Sequence, residues 1–287
     1  MNAERAFEDR RGTMIGLAYR MLGSRAEAED VVQDAWLRWR TVEDEVANAD
    51  AYLNRVVTRL CLDRIKSARA RREVYVGEWL PEPVLDAEAL SPADDSDLSV
   101  AFLLALERLT PLERAAFLLH DVFDTPFSEV AATLGRSEAA CRQLAARARA
   151  HVKEARPRYR PTPEEEKRLT EAFLRAAFTG DAEGLRAVLA DDVVMHADGG
   201  GKASANLNPV YGLEKAIRLV QGVLRKFPPP PGSSGRLARI NGQPGAVLIG
   251  PDGEVIQTTA LELRDGRICA AYTVRNPEKL KHIRAPA

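Results

Sequence analysis

Arg142, Gln143, Arg147 and Arg149 are the side chains of this sequence best suited to reading another polymer. A guanidinium donates paired hydrogen bonds to a guanine edge or a phosphate, and a Gln amide pairs in the same way with adenine. That chemistry requires all four on the outer surface of one rigid helix. The stretch Phe127–Arg149, FSEVAATLGRSEAACRQLAARAR, supplies one. Val130, Ala131 and Leu134 recur at helical spacing and give a first helix its apolar side. Ala131 is small where two helices must cross closely. Gly135 suits a left-handed exit from that helix, and Ser137 suits the N-cap of the next. Cys141, Leu144 and Ala148 then turn inward. The pattern predicts a helix-turn-helix whose second helix enters a DNA major groove. It fits equally a helical hairpin with a solvated, charged face.

The elements around this motif divide the chain. At 287 residues it is long enough for two or three domains, and 45% hydrophobic residues suffice to build their cores. The net charge of −1 carries no global basic signature, but charge is segregated. Arg55, Arg59, Arg64, Lys66, Arg69, Arg71 and Arg72 face only Asp63, whereas Glu78, Glu82, Asp86, Glu88, Asp94, Asp95 and Asp97 follow without a cation. The basic run suggests a polyanion-binding surface, and the acidic run is consistent with a solvated linker. Cys61, Cys141 and Cys269 are far apart and form no metal-ligand spacing, so no metal and no cofactor are expected. No apolar signal core opens the chain and no window is long and apolar enough for a membrane. A cytoplasmic protein with reduced, buried cysteines is expected.

Helical periodicity runs through residues 1–73, a linker through 74–96, and a second helical domain through 97–156. Thr110, Pro111 and Glu113 there form a capping box, with a helix continuing to Val122. Residues 164–287 read differently. Two helices, a strand over Val193–Ala197, a glycine-rich turn and a helix over Leu213–Phe227 precede four alternating strands joined by Gly242-Gln243, Asp252-Gly253 and Asp265-Gly266. This is an α+β domain with a curved antiparallel sheet. His196 and Asp198 fall near a strand end and form a pair of the kind used in acid–base catalysis. With four histidines and no second such cluster, a structural role is favoured, and no enzyme is expected.

Read together, AEAEDVVQDAWLRW, a polar loop, a basic helix and a distant helix-turn-helix make the chain resemble a bacterial extracytoplasmic-function sigma factor of the sigma-70 family, over about Ala6 to Lys153. The resemblance implies core RNA polymerase and promoter DNA as partners. Asp30, Gln33, Asp34 and Trp36 would dock on polymerase. Asn48, Asn54, Arg55, Arg59, Arg64 and Lys66, on the loop and basic helix, would hold the unwound minus-10 strand, whose flipped bases can be read only when unpaired. Ser137, Glu138, Arg142, Gln143, Arg147 and Arg149 would contact the minus-35 duplex.

Three further strings narrow the resemblance: Trp79-Leu80-Pro81-Glu82-Pro83, Asp198-Gly199-Gly200-Gly201-Lys202 and Asn276-Pro277-Glu278-Lys279-Leu280. With a C-terminal SnoaL-like domain, they are similar to the sigma-factor group carrying its own regulatory extension; Glu278 stands where that group has Asp. The resemblance implies a regulatory interface at these strings, a flexible linker around Trp79 and no separate anti-sigma factor. SnoaL-like cones can also hold a small-molecule ligand in a cavity, which His196 and Asp198 would face. Three consecutive glycines are entropically costly unless something approaches them closely, which favours the interface. A helix-turn-helix regulator acting without polymerase, and a SnoaL-like enzyme tethered to DNA, are the alternatives.

Overall fold

Caps and apolar spacing fix the helical part locally. The computed structural model describes residues 3–42, 46, 48–85, 98–153 and 161–283. It divides into two compact units: Met1–Val74 with Ala89–Arg156, and Tyr75–Glu88 with Pro157–Ala287.

In the first unit, α1 (Ala3–Leu22), α2 (Arg25–Trp39) and α3 (Ala49–Glu73) pack around Met14, Leu17, Ala18, Val31, Ala35, Leu53 and Val57. Ser24 and Asn48 cap α2 and α3 by accepting hydrogen bonds from Glu27 N and Ala51 N. The second helical region holds α4 (Val100–Glu107), α5 (Pro111–Phe117), α6 (Phe127–Leu134) and α7 (Glu138–Val152). The Thr110–Glu113 capping box is present. The helix expected to reach Val122 instead widens into a π-helical turn over Leu118–Val122, with Phe123 N donating to Leu118 O. Gly135 leaves α6 at φ +62°, the left-handed conformation expected of it. The buried seam of α7 is Cys141, Ala145, Ala148 and Val152. Leu144 is half-buried.

In the second unit, α8 (Pro163–Thr179) and α9 (Ala182–Val188) lead into β1 (Leu189–Asp198) and β2 (Val210–Tyr211). Then come α10 (Leu213–Lys226), β3 (Ser234–Ile240), β4 (Gln243–Ile249), β5 (Val255–Arg264), β6 (Arg267–Val274) and the single turn α11 (Pro277–Leu280). Asn241-Gly242 and Asp265-Gly266 take positive φ and close two hairpins. The sheet order is β2-β1-β6-β5-β4-β3. The sheet is therefore mixed: the expected antiparallel pattern holds except that β6 inserts beside β1 in parallel. Turn chemistry reports only on consecutive strands, and β1 and β6 are separated by α10 and four strands.

Leu169, Phe173, Leu185, Ile217, Met195, Leu261, Leu263 and Ala271 make one core between the helices and a sheet face. Met195 is in register with Ala271 and Leu261, and His196 with Tyr272 and Ala260. Alternation along a strand therefore turns His196, Tyr272 and Glu262 to the other face. His196 and Asp198, expected to face a cavity, therefore lie on the sheet face away from the helical core.

Candidate functional site

The three short strings meet on that other face. Residues 75–85 form an extended strap running from the end of β1 to the β3–β4 hairpin, where Asn241 N donates to Val84 O and Leu85 bridges Ile240. Pro81 and Pro83 keep the strap extended and remove donors that no ladder would satisfy. Leu80, Pro81, Pro83, Val84 and Leu85 are buried and Glu82 is half-buried. The flexible linker expected from Glu78 onward is thus corrected as far as Leu85: this stretch is packed. Its remainder lies outside the described residues.

Asp198, 0% exposed, is the hub. Its Oδ1 accepts from Tyr75 Oη at 2.6 Å, and its Oδ2 accepts from Leu80 N at 2.9 Å and Lys279 Nζ at 2.7 Å. Its backbone carbonyl accepts from Arg275 N and Asn276 N. Lys279 also donates to Leu80 O and stands 4.3 Å from the Trp79 ring centre and 5.1 Å from that of Tyr75. Asn276 caps α11, and its Nδ2 donates to Tyr75 Oη at 2.8 Å. Pro277 opens α11 at its first turn, and Leu280 is buried. His282 Nε2 donates to Pro83 O at 2.9 Å. His196 pairs with Glu78 at 2.6 Å and stacks on Tyr272, whose hydroxyl donates to Glu262. The supposed catalytic pair is therefore engaged by the strap and α11.

The glycine run is shaped by the same contacts. At Gly200, φ +58°, a Cβ would lie 2.9 Å from Tyr75 Oη and closer still to Asn276 Nδ2. At Gly201, φ +71°, it would lie 3.1 Å from Val76 Cβ, and at Gly199 it would overlap the carbonyl of Ala203. Lys202 forms an ion pair with Glu278, which holds that carboxyl below its ordinary range. Tyr75 and Val76 were missed by sequence reading, being ordinary residues upstream of the WLPEP string.

Burial first, then the hydrogen bond to Asp198, pushes the Tyr75 phenol up. A raised folded pKa stabilises the docked strap fully below the ordinary tyrosine value of about 10, and that contribution is lost as pH climbs through the folded value. Tyrosinate absorbance followed upward from neutral pH should show a late-ionising phenol that Tyr75→Phe deletes. An unchanged high-pH limb in the variant would refute the assignment.

The candidate nucleic-acid faces lie in the first unit. Ser137 caps α7 through Ala140 N, Glu138 pairs with Arg142 at 2.7 Å, and Arg142 lies over Phe127. Gln143 and Arg147 are exposed. Arg149 is held by Asp121 at 2.6 Å, a partner the π-helical turn presents. On α3, Asn48 serves as a cap, Asn54 and Arg55 are half-buried, and Arg59 Nε donates to Thr133 O of α6. Arg64 binds Asp34 at 2.6 Å and Glu27 O, so two side chains expected to serve different partners serve each other. The side chain of Lys66 and most of the loop before Asn48 lie outside the described residues. On α2, Asp30 and Gln33 are exposed, while Trp36 is half-buried against Phe7 at 4.8 Å. Leu37, 55% exposed beside them, belongs to neither the apolar side nor the binding residues expected of this helix. Cys61, Cys141 and Cys269 are buried, free thiols, and among the described residues no helix is long and apolar enough to cross a membrane.

Comparison with known proteins matches residues 6–71 to the family "Sigma-70 region 2" and residues 99–152 to "Sigma-70, region 4". The chain is 41% identical to the ECF RNA polymerase sigma factor SigJ of Mycobacterium tuberculosis (strain H37Rv), over 95% of this chain and 91% of the relative. It is 33% identical to the probable ECF RNA polymerase sigma factor SigI of the same organism, over 98% and 95% respectively. The crystal structure of M. tuberculosis SigJ superposes with a TM-score of 0.77 at 37% identity, covering 96% of this chain and 98% of that one.

Proposed function

Because the chain belongs to the extracytoplasmic-function RNA polymerase sigma factors, we propose that it seats promoter DNA on core polymerase under the control of its own C-terminal unit. The observation that carries this reading is the closure of strap, glycine loop and α11 around Asp198. The strap is part of the chain segment that joins region 2 to region 4, so docking or releasing it changes the length of tether available to them. Control is then a population shift between docked and released straps. No separate anti-sigma factor is needed, and the protein works in the cytoplasm, where polymerase is.

Within the helical unit, Asp30 and Gln33 with Leu37 form the polymerase-facing side of α2. Asn54, Arg55 and Arg59 of α3 hold the minus-10 strand. Arg142, Gln143 and Arg147 of α7 read the minus-35 duplex. Arg142→Ala or Arg147→Ala should each weaken promoter binding by about 1–3 kcal/mol if the lost contact is to a base, or lower the salt slope by roughly 1 if it is to a phosphate. Footprinting at several salt concentrations checks this, and an unaltered footprint in both variants removes the minus-35 assignment. Run-off transcription with core polymerase tests the whole reading. The full chain should initiate, and Trp79→Ala should change the yield while polymerase binding persists. Absence of polymerase binding by the native chain would overturn it.

A further inference from the structure

The π-helical turn meets α6 and α7 with two consecutive side chains. Such a turn takes in one extra residue, so its side chains leave the spacing of the helix before it. Asp121 holds the Arg149 guanidinium at 2.6 Å, and His120 lies against Phe127, the first residue of α6. The two rings are stacked, with centres 3.8 Å apart and planes 30° apart. The imidazole is itself held: its Nδ1 donates to Thr125 O at 3.0 Å, and Thr125 N donates to Leu119 O at 2.8 Å. The Phe127 ring is thus fixed by its neighbour, and it carries the Arg142 guanidinium 5.2 Å from its centre.

Glu138, one turn earlier on α7, holds the same guanidinium from a second side. Its Oε2 accepts from Arg142 Nη2 at 2.7 Å. An i,i+4 ion pair on a helix surface is weak by itself. Ring and carboxylate together fix a side chain that is still 57% exposed. They also set its direction. Helical side chains lean toward the N-terminus, and Glu138 is the first residue of α7, at the end by which a recognition helix enters the groove. Arg147, further along α7, is exposed and has neither an ion pair nor a ring contact among the described residues. A free arginine has much rotamer entropy to lose on binding, and one held beforehand loses less and meets fewer base edges. Glu138 adds selectivity of another kind. Its carboxylate repels phosphates and gives up Arg142 only where a base edge offers acceptors in its place.

We infer that Phe127, fixed by His120, and Glu138 are positioning residues that set the base preference of Arg142 in the minus-35 duplex. This rests on the role proposed above for Arg142.

The test is a selection among duplexes with a randomised minus-35 element, made by core polymerase carrying the full chain. Arg142→Ala should flatten the preference at the position this residue reads, which identifies that position. Phe127→Leu keeps an apolar side chain but loses the ring face, and should cut the preference there by about two- to fivefold while leaving the other positions unchanged. Phe127→Tyr should keep it. Glu138→Gln should also lower it, by a different route: binding of wrong-base duplexes rises by about twofold while that of the selected duplex holds. Added to Arg142→Ala, Phe127→Leu should change nothing further; added to Arg147→Ala, it should flatten a second position. Glu138 is exposed, so its variant serves if Phe127→Leu fails to fold. Equal loss at every position, or an intact preference at the Arg142 position in folded variants, overturns the inference. If the native chain selects no sequence, or Arg142→Ala flattens no position, the role proposed for Arg142 fails. NMR relaxation of the Arg142 Nε–H in the free chain then still decides whether the side chain is held. It should be more ordered than that of Arg147 and become as mobile in Phe127→Leu; equal mobility in the native chain overturns the clamp.

Discussion

Replacing Asp198 with Asn is expected to release the strap and lower the stability of the C-terminal unit by about 3–5 kcal/mol. The magnitude follows from what is left behind. Lys279 is 6% exposed, and its ammonium is satisfied by the Asp198 carboxylate and the Leu80 carbonyl. An Asn amide offers one acceptor oxygen where the carboxylate offers two, and Asp198 accepts three side-chain or strap donors. An amide nitrogen placed toward Leu80 N and Lys279 Nζ would set donor against donor, and one turned toward Tyr75 would deprive that hydroxyl of its acceptor. The buried charge then lacks its counter-charge, the costly half of breaking an internal ion pair. For a unit of this size the melting temperature should fall by roughly 10 °C. Limited proteolysis should cut within 75–85 in the variant and not in the native chain. A protected strap at native melting temperature would sink the claim that Asp198 is the hub. Lys279→Met combined with Asp198→Asn should recover part of the loss, since removing both charges is less harmful than removing one.

Gly200→Ala is expected to cost about 2–4 kcal/mol, combining the strain of a left-handed non-glycine residue with the loss of the hydrogen bonds it displaces. The Cβ has no free direction. It points at the Asn276 amide and the Tyr75 hydroxyl, which bond to each other and, through Tyr75, to Asp198. Moving Asn276 uncaps α11, which carries Lys279; moving Tyr75 lifts the start of the strap. Gly253→Ala is the control: its φ of +84° carries similar backbone strain, but a Cβ there meets nothing within 4 Å. If both variants lose the same stability in chemical denaturation, the loop's glycine is needed for backbone shape alone. A larger loss at Gly200, with faster proteolysis of the strap, ties it to the contact.

The helix-turn-helix was legible in the sequence because its determinants are local: a cap, a left-handed glycine and an apolar seam within one stretch of chain. Even there, Thr133 and Arg149 escaped, since their partners on α3 and the π-helical turn are not encoded by helical spacing. The strap was less legible. Its contacts join residues 118 to 201 positions apart, and the linker's prolines spoke only for irregular backbone. The glycine run was the one local sign that something must come close. Apolar spacing placed the candidate residues of α2 and α3 on helices, but residue types do not reveal partners, which is why Arg64 and Asp34 could not be paired beforehand.

The position of β6 has a consequence for biosynthesis. It lies between β1 and β5, and the residues that follow it supply Asn276 and Lys279, so the receptor for the strap is completed only after all the other strands have been made. Domains tend to fold in order as they emerge from the ribosome. Nascent chains halted before Asn276 would carry both helical regions and the strap itself, with no finished surface to hold it. Docking therefore waits for α11, and a chain interrupted before Asn276 would be a sigma factor whose strap has never been restrained.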